Sequence, residues 1–209
     1  VLFRSIDIPG RTEKPINPFE DRAYYAAAIR ECFEESGVLM ATSSTLATRP
    51  TSDALVEARS ALNAGSLPFN KILATWSMTP DATAMQLVAR WVTPLGSPRR
   101  FDARFFITAC PDSSQAGHDD QELVDSAWMT PQSVLDAFAS GEMDLMTPTL
   151  RMLKNLSRHE SVADVFSCLE AHRNFERVRV AGGSRELLLP GEPGYDDALE
   201  NVEAGWVRL

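Results

Sequence analysis

The sequence predicts an α/β (α+β) protein in which strands and helices share one core. Residues 21–36 repeat apolar side chains at spacings of three and four, as a helix with one buried face does. "QLVARWVTP" and "RRFDARFFITACP" are β-rich runs separated by the turn signal "LGSPR", which reads as a hairpin, and amphipathic segments lie on both sides of them. A chain of 209 residues holds one full hydrophobic core, or one core with an appendage, but hardly two independent domains.

Along the chain, "VLFRSIDI" reads as a short strand and "PGRTEKPINPFED" as a loop, because its prolines and glycine break any regular element. The first helix runs from about Asp21, its cap, to Ser36, with Gly37 placed to take the left-handed conformation that ends it. Tyr25, Ala26, Ile29 and Phe33 define its apolar side, and Cys32 lies towards that side as a packing residue. A second helix is expected from Ser52 to Ala64, capped by Thr51 or Ser52 and stopped by Gly65, with a short one over Phe69 to Thr75. After the hairpin come the polar loop "DSSQAGHDDQE" and the short run "LVDSAWM". "TPQSVLDAFASGE" opens with a Thr cap and a Pro at the first helical position, "TPTLRMLKNLSRH" repeats that opening, and "SVADVFSCLEAHR" is a third amphipathic helix. "ERVRVAG" and "RELLLPG" are the strands expected in the tail.

Composition narrows the function classes. The chain is 44% hydrophobic and 23% charged, as an ordinary folded protein is. Its net charge is −9, with 29 acidic against 20 basic residues, which speaks against electrostatic capture of nucleic acid. A polyanionic small molecule binds an acidic site when a cation stands between them. Three widely spaced cysteines, Cys32, Cys110 and Cys168, fit a reducing compartment and make cytoplasm the expectation. No run approaches the length of a membrane span, and "VLFRSIDIPG" lacks a signal-peptide layout. The first residue is Val rather than Met, which leaves open that the chain starts inside an element.

The stretch "AIRECFEESGVLM" carries the chemistry. At about 100° per residue, Glu31, Glu34 and Glu35 fall within a sector of about 100° on the side away from Ile29 and Phe33. Like charges at these spacings destabilise an isolated helix, so something should offset them. One reading is a solvated face with Arg30 paired to Glu34. The other is a divalent-cation site, because hard cations such as Mg²⁺ take carboxylate oxygens together with substrate phosphates. The whole string "RECFEESGV" favours the second: at average residue usage its pattern arises by chance in fewer than roughly one chain in a thousand of this length.

That string resembles the second half of the Nudix box, the loop-helix-loop signature of Nudix hydrolases. The resemblance implies an α/β/α sandwich with a mixed sheet, and hydrolysis of a diphosphate bond with Mg²⁺ or Mn²⁺. It makes Glu34 and Glu35 metal ligands, Glu31 a further ligand or the base on the attacking water, Arg30 the partner that orients a carboxylate, and Gly37 the helix stop. In the first half of the box, the positions that carry a Gly and an acidic residue hold Ile16 and Arg22 here. Gly10 in "IPGR" is the nearest glycine and needs an inserted loop to serve the phosphate side.

Several later segments resemble the Nudix branch of the mammalian peroxisomal coenzyme A diphosphatase, which carries a helical insertion after the box, then a Trp-x-Thr-Pro strand and an Arg-Phe-Asp strand. Here these are residues 51–76, "RWVTP" and "RRFDARFF"; "ELVDSAWMTPQSVL" and "TPTLRMLKNL" also match. The implied organisation is a Nudix domain over 1–172 and a C-terminal extension over 173–209. Arg99, Arg100 and Arg104 form a basic group on the hairpin suited to phosphate. Nudix enzymes often bring a further carboxylate to the metal from such a loop, and the resemblance makes Glu122 the candidate for it, whereas His118 reads as a solvated residue. The substrate class implied is coenzyme A or acyl-coenzyme A, a small-molecule diphosphate; an ADP-sugar or dinucleotide is the alternative. A catalytically silent Nudix module that binds a nucleotide or a protein is the reading from another class. Neither nucleic acid nor membrane is an expected partner, and a homodimer is left open.

Overall fold

The computed structural model describes residues 2–5, 22–43, 50–83, 85–93, 98–110, 127–182, 186–198 and 200–208. In chain order the elements are β1 (Leu2–Ser5), α1 (Arg22–Ser36), β2 (Ala41–Ser43), α2 (Ser52–Asn63), α3 (Phe69–Thr75), β3 (Met78–Pro80) and β4 (Gln86–Val92), followed by β5 (Asp102–Ile107), α4 (Pro131–Ser140), α5 (Thr147–Leu156), α6 (Val162–Ala171), β6 (Glu176–Val180), β7 (Leu187–Leu188) and β8 (Glu200–Val207). The chain divides into two compact units: Asn17–Met85 with Ile107–Ala127, and Leu2–Ile16 with Gln86–Phe106 and Trp128–Leu209. Among the described residues, no helix is long and apolar enough to cross a membrane.

In the first unit, α1 buries Ala28, Ile29, Cys32 and Phe33. Ala26, expected on that side, is exposed: it lies about 20° beyond Phe33 around the helix, just past the edge of the buried stripe. Phe33 packs with Ala58 and Leu62 of α2 and Ile72 of α3, with Leu39, Leu55, Leu67, Phe69 and Trp76 around them. The expected insertion therefore builds its core on α1. Thr51 caps α2 by accepting from the Ala54 amide at 3.3 Å, and Gly65 follows its end in the left-handed region. β2 and β3 form a two-stranded antiparallel sheet that the sequence does not announce. Three residues each leave no room for the alternation that marks a strand.

The second unit holds a six-stranded sheet of order β1-β5-β4-β8-β6-β7. Residues 173–209, expected as an extension, supply three of its strands, and β8 lies between β4 and β6. β8 is antiparallel to both: Arg90 and Arg177 each face Trp206, while Trp91 faces Gly205. One sheet face therefore carries the row Arg177, Trp206, Arg90, with guanidinium carbons 4.5 and 5.1 Å from the indole centroid. On the other face, Gly205 leaves the space that Val178 and Trp91 fill. Thr130 caps α4, its hydroxyl accepting from the Ser133 amide at 3.1 Å, and Gly141 ends it with φ 79°. α5 starts one residue earlier than expected: Thr147, the expected cap, is already helical and Met146 is the cap residue, with no side-chain bond. The run "LVDSAWM" contributes no strand among its described residues, because 127–130 lead directly into the α4 cap and leave Trp128 exposed.

Candidate functional site

α1 ends where its chemistry is concentrated. Gly37, at φ 74°, turns the chain out of the helix, and its amide donates to the Phe33 carbonyl at 3.0 Å. Phe33 and Ile29 are fully buried on one side, which holds the helix in rotation and leaves Glu31, Glu34 and Glu35 only partly covered. Both glutamates next to Arg30 pair with it, Glu31 Oε1 with Nη2 and Glu34 Oε2 with Nη1. Partial burial works against the Arg30 charge, but the Glu34 and Glu31 carboxylates outweigh it and hold its pKa above the ordinary value. The guanidinium thus offsets the like-charge repulsion that the sequence leaves unbalanced.

A second arginine braces the same turn from α2. Arg59 Nε donates to the Glu34 carbonyl at 2.9 Å and its Nη2 to the Glu35 carbonyl, while Asn63 Nδ2 reaches the Glu34 carbonyl at 3.4 Å. Neither Arg59 nor Asn63 stands out in the sequence, since an arginine on a solvated helix face has no motif. Cys32 is buried beside this turn. Burial pushes its thiol pKa up, partly countered by the Ser36 hydroxyl 3.6 Å from the sulfur, which fits packing rather than nucleophilic chemistry.

The three arginines expected as a basic group on the hairpin occupy three environments in the second unit. Arg99 is exposed. Arg100 Nε donates to the Thr93 carbonyl at 2.9 Å and braces the hairpin. Arg104 is buried on β5, with Nη1 3.1 Å from Asp102 Oδ1. Gly10, Glu122 and His118 lie outside the described residues.

The donors on α1 are all carboxylate oxygens, the ligand type that Mg²⁺ and Mn²⁺ prefer, so their chemistry fits such an ion. Among the described residues no group of three or more His, Cys, Asp or Glu side chains converges on one point. Glu31 and Glu34 instead converge on Arg30.

Comparison with known proteins assigns this arrangement to a family. A family model, that of the NUDT19 Nudix domain, matches residues 10–156. Human acyl-coenzyme A diphosphatase NUDT19 is 30% identical over 204 residues, covering 88% of this chain and 54% of the human protein. The Gallus gallus protein of the same name is 29% identical over 203 residues, covering 84% of this chain and 53% of its own length. The chain thus spans about half the length of these curated relatives. Among solved structures, the Nudix hydrolase from Alicyclobacillus acidocaldarius superposes with a TM-score of 0.56 at 25% identity, covering 73% of this chain and 68% of that one. The expected Nudix-type α/β fold is therefore present, and the chain belongs to the Nudix family, in the branch of the NUDT19 Nudix domain.

Proposed function

We propose that this protein hydrolyses a diphosphate linkage with the help of Mg²⁺ or Mn²⁺, and that its substrate is coenzyme A or an acyl-coenzyme A. The observation that carries the reading is the last turn and a half of α1: three carboxylates on the partly covered side of a helix whose other side is anchored by Phe33. Family membership supports divalent-metal use, which is general among Nudix hydrolases. The relatives named as acyl-coenzyme A diphosphatases support the substrate class.

Glu34 and Glu35 are the residues that would hold the cation, with Glu31 as a further ligand or as the base that takes a proton from the attacking water. When bound, such a cation supplies neutralising charge for the diphosphate oxygens. Arg30 sets the Glu31 and Glu34 carboxylates before substrate arrives, because one guanidinium grips both. A carboxylate fixed in this way loses little conformational freedom when it acts, which is how positioning lowers a barrier. Arg99 and Arg100 are the candidates for substrate phosphate, Gly10 for the loop that lets the phosphate approach, and Glu122 for a fourth carboxylate, whereas Arg104, first grouped with the other two arginines, is committed to Asp102 in the sheet. We place the proposed catalytic residues within 1–172, with 51–76 as the insertion, while residues 173–209 complete the sheet that β4 and β5 belong to. The unpaired thiols of Cys32, Cys110 and Cys168 favour a reducing compartment such as cytoplasm.

The competing reading is a silent Nudix module that binds a nucleotide or protein. Ile16 and Arg22 at two positions of the box favour it, while the retained glutamates oppose it. Product analysis separates the two: the folded protein is incubated with coenzyme A, ADP-ribose and dinucleotides, with and without Mg²⁺ or Mn²⁺. Release of phosphate-containing products from coenzyme A, only with metal, is expected. Preferred cleavage of ADP-ribose or a dinucleotide moves the substrate class, and no turnover of any of them sinks the enzyme reading.

A further inference from the structure

A helix leaves its last four carbonyls without partners inside the helix. At the end of α1 the Phe33 carbonyl accepts from the Gly37 amide at 3.0 Å, but the next two are met from another element. Arg59 of α2 donates to both, Nε to Glu34 at 2.9 Å and Nη2 to Glu35, and Asn63 adds a longer bond to Glu34. These are the backbones of the two glutamates proposed to hold the cation. α1 has no basic residue in its own last turn, so the cation that favours a helix C-terminus also comes from Arg59.

Arg59 is itself held in place. Its neighbour Ala58 and Leu62, one turn along, pack on Phe33 of α1, and Thr51 caps the start of α2. The same helix thus grips the buried side of α1 and closes its C-terminal end. Loss of that grip frees the last turn to fray, and Glu34 and Glu35 fray with it.

We infer that Arg59 is a positioning residue for the proposed cation site, acting through the Glu34 and Glu35 carbonyls rather than by touching metal or substrate. The inference rests on the reading of α1 as a cation-binding face, and it gives the insertion a role in the chemistry: α2 stiffens the turn that carries the carboxylates. A stiff turn has less freedom to lose when the ion binds, so the effect should appear in metal affinity more than in turnover at saturating metal.

The test uses the full chain with Arg59→Met and Arg59→Lys, both checked for folding by circular dichroism. Mn²⁺ affinity is read by electron paramagnetic resonance of the free ion, and amide exchange by mass spectrometry on metal-free protein. Arg59→Met is expected to weaken Mn²⁺ binding about tenfold, the scale on which groups that orient ligands act. It should also speed exchange across residues 35–38 while leaving α5 and α6 unchanged. Arg59→Lys keeps the charge but loses the planar fork whose Nε and Nη2 reach the two carbonyls, so it should fall between Arg59→Met and the wild type; where Arg59→Met does not fold, Lys decides. Turnover at saturating Mn²⁺ should return to within about twofold of wild type. Wild-type Mn²⁺ affinity in a folded variant, or unchanged exchange across 35–38, overturns the inference. Absence of Mn²⁺ binding by the wild-type chain refutes the cation site instead, and the metal-free exchange still decides whether Arg59 holds the turn.

Discussion

Arg90 and Asp102 meet as a forked pair, Nε to Oδ1 at 2.8 Å and Nη2 to Oδ2 at 2.9 Å, with 13% and 9% of their side chains exposed. Arg104 adds a second guanidinium to the same carboxylate, Nη1 standing 3.1 Å from Oδ1. Removing the acid leaves buried cations without it, which costs far more than a surface pair is worth. Asp102→Ala is expected to lower stability by about 3–5 kcal/mol in urea unfolding. Arg90→Lys should cost less but still measurably, since an ammonium cannot fork onto both oxygens.

The glutamates on α1 predict the opposite balance between stability and activity. Glu35→Gln removes a negative charge from a crowded face, so its melting temperature should stay or rise, whereas Glu34→Gln also gives up the pair with Arg30, so its melting temperature should change little. Turnover should fall at least about tenfold, because a proposed ligand is lost. Full activity in both variants removes this helix from the mechanism.

Cys32 should resist modification. Burial raises its thiol pKa, so the neutral form is favoured in the fold, whereas Cys110 and Cys168 are partly exposed. Alkylation of the native protein near pH 8 should label Cys110 and Cys168 first, as peptide mapping reads out. The sign for stability follows: the contribution of the Cys32 proton is fully present below the unfolded thiol value, about 8.5, and is lost as pH rises through the folded one. Early labelling of Cys32 contradicts the packing role.

Gly205 is required by the closeness of its neighbours. A Cβ there would stand 3.0 Å from Val178 Cβ and Cγ2 and 3.4 Å from Trp91 Cε3. Gly205→Ala is expected to cost about 1–3 kcal/mol, the range for overpacking. Thermal unfolding at or above the wild-type midpoint would show that the sheet gives way cheaply.

The sequence by itself determined the helices and the candidate site on the first of them. The α1 residues announce a helix because apolar positions recur with its period, and a carboxylate face because the charges sit opposite that stripe; the resemblance of the contiguous string to the Nudix box is what makes that face the candidate cation site. Local signals of this kind need no partner: Thr51 and Thr130 each cap a helix as their spacing implies. The family was legible for the same reason, since its signature occupies neighbouring residues.

Only the tertiary structure decided how the strands pair and what supports the site. β8 carries acidic residues and a glycine and reads poorly as a strand, yet β4 and β6 hydrogen-bond it from both sides. Strand propensity is largely a property of neighbours, and those neighbours are remote in sequence. The grip of Arg59 on Glu34 and Glu35 spans 25 and 24 residues. Arg104 reads as a phosphate-facing residue, but Asp102 one pleat away on the same face pairs with it in the buried sheet. Periodicity and motif report what a residue does along its own element; they carry no information about which distant carbonyl, ring or carboxylate the folded chain sets against it.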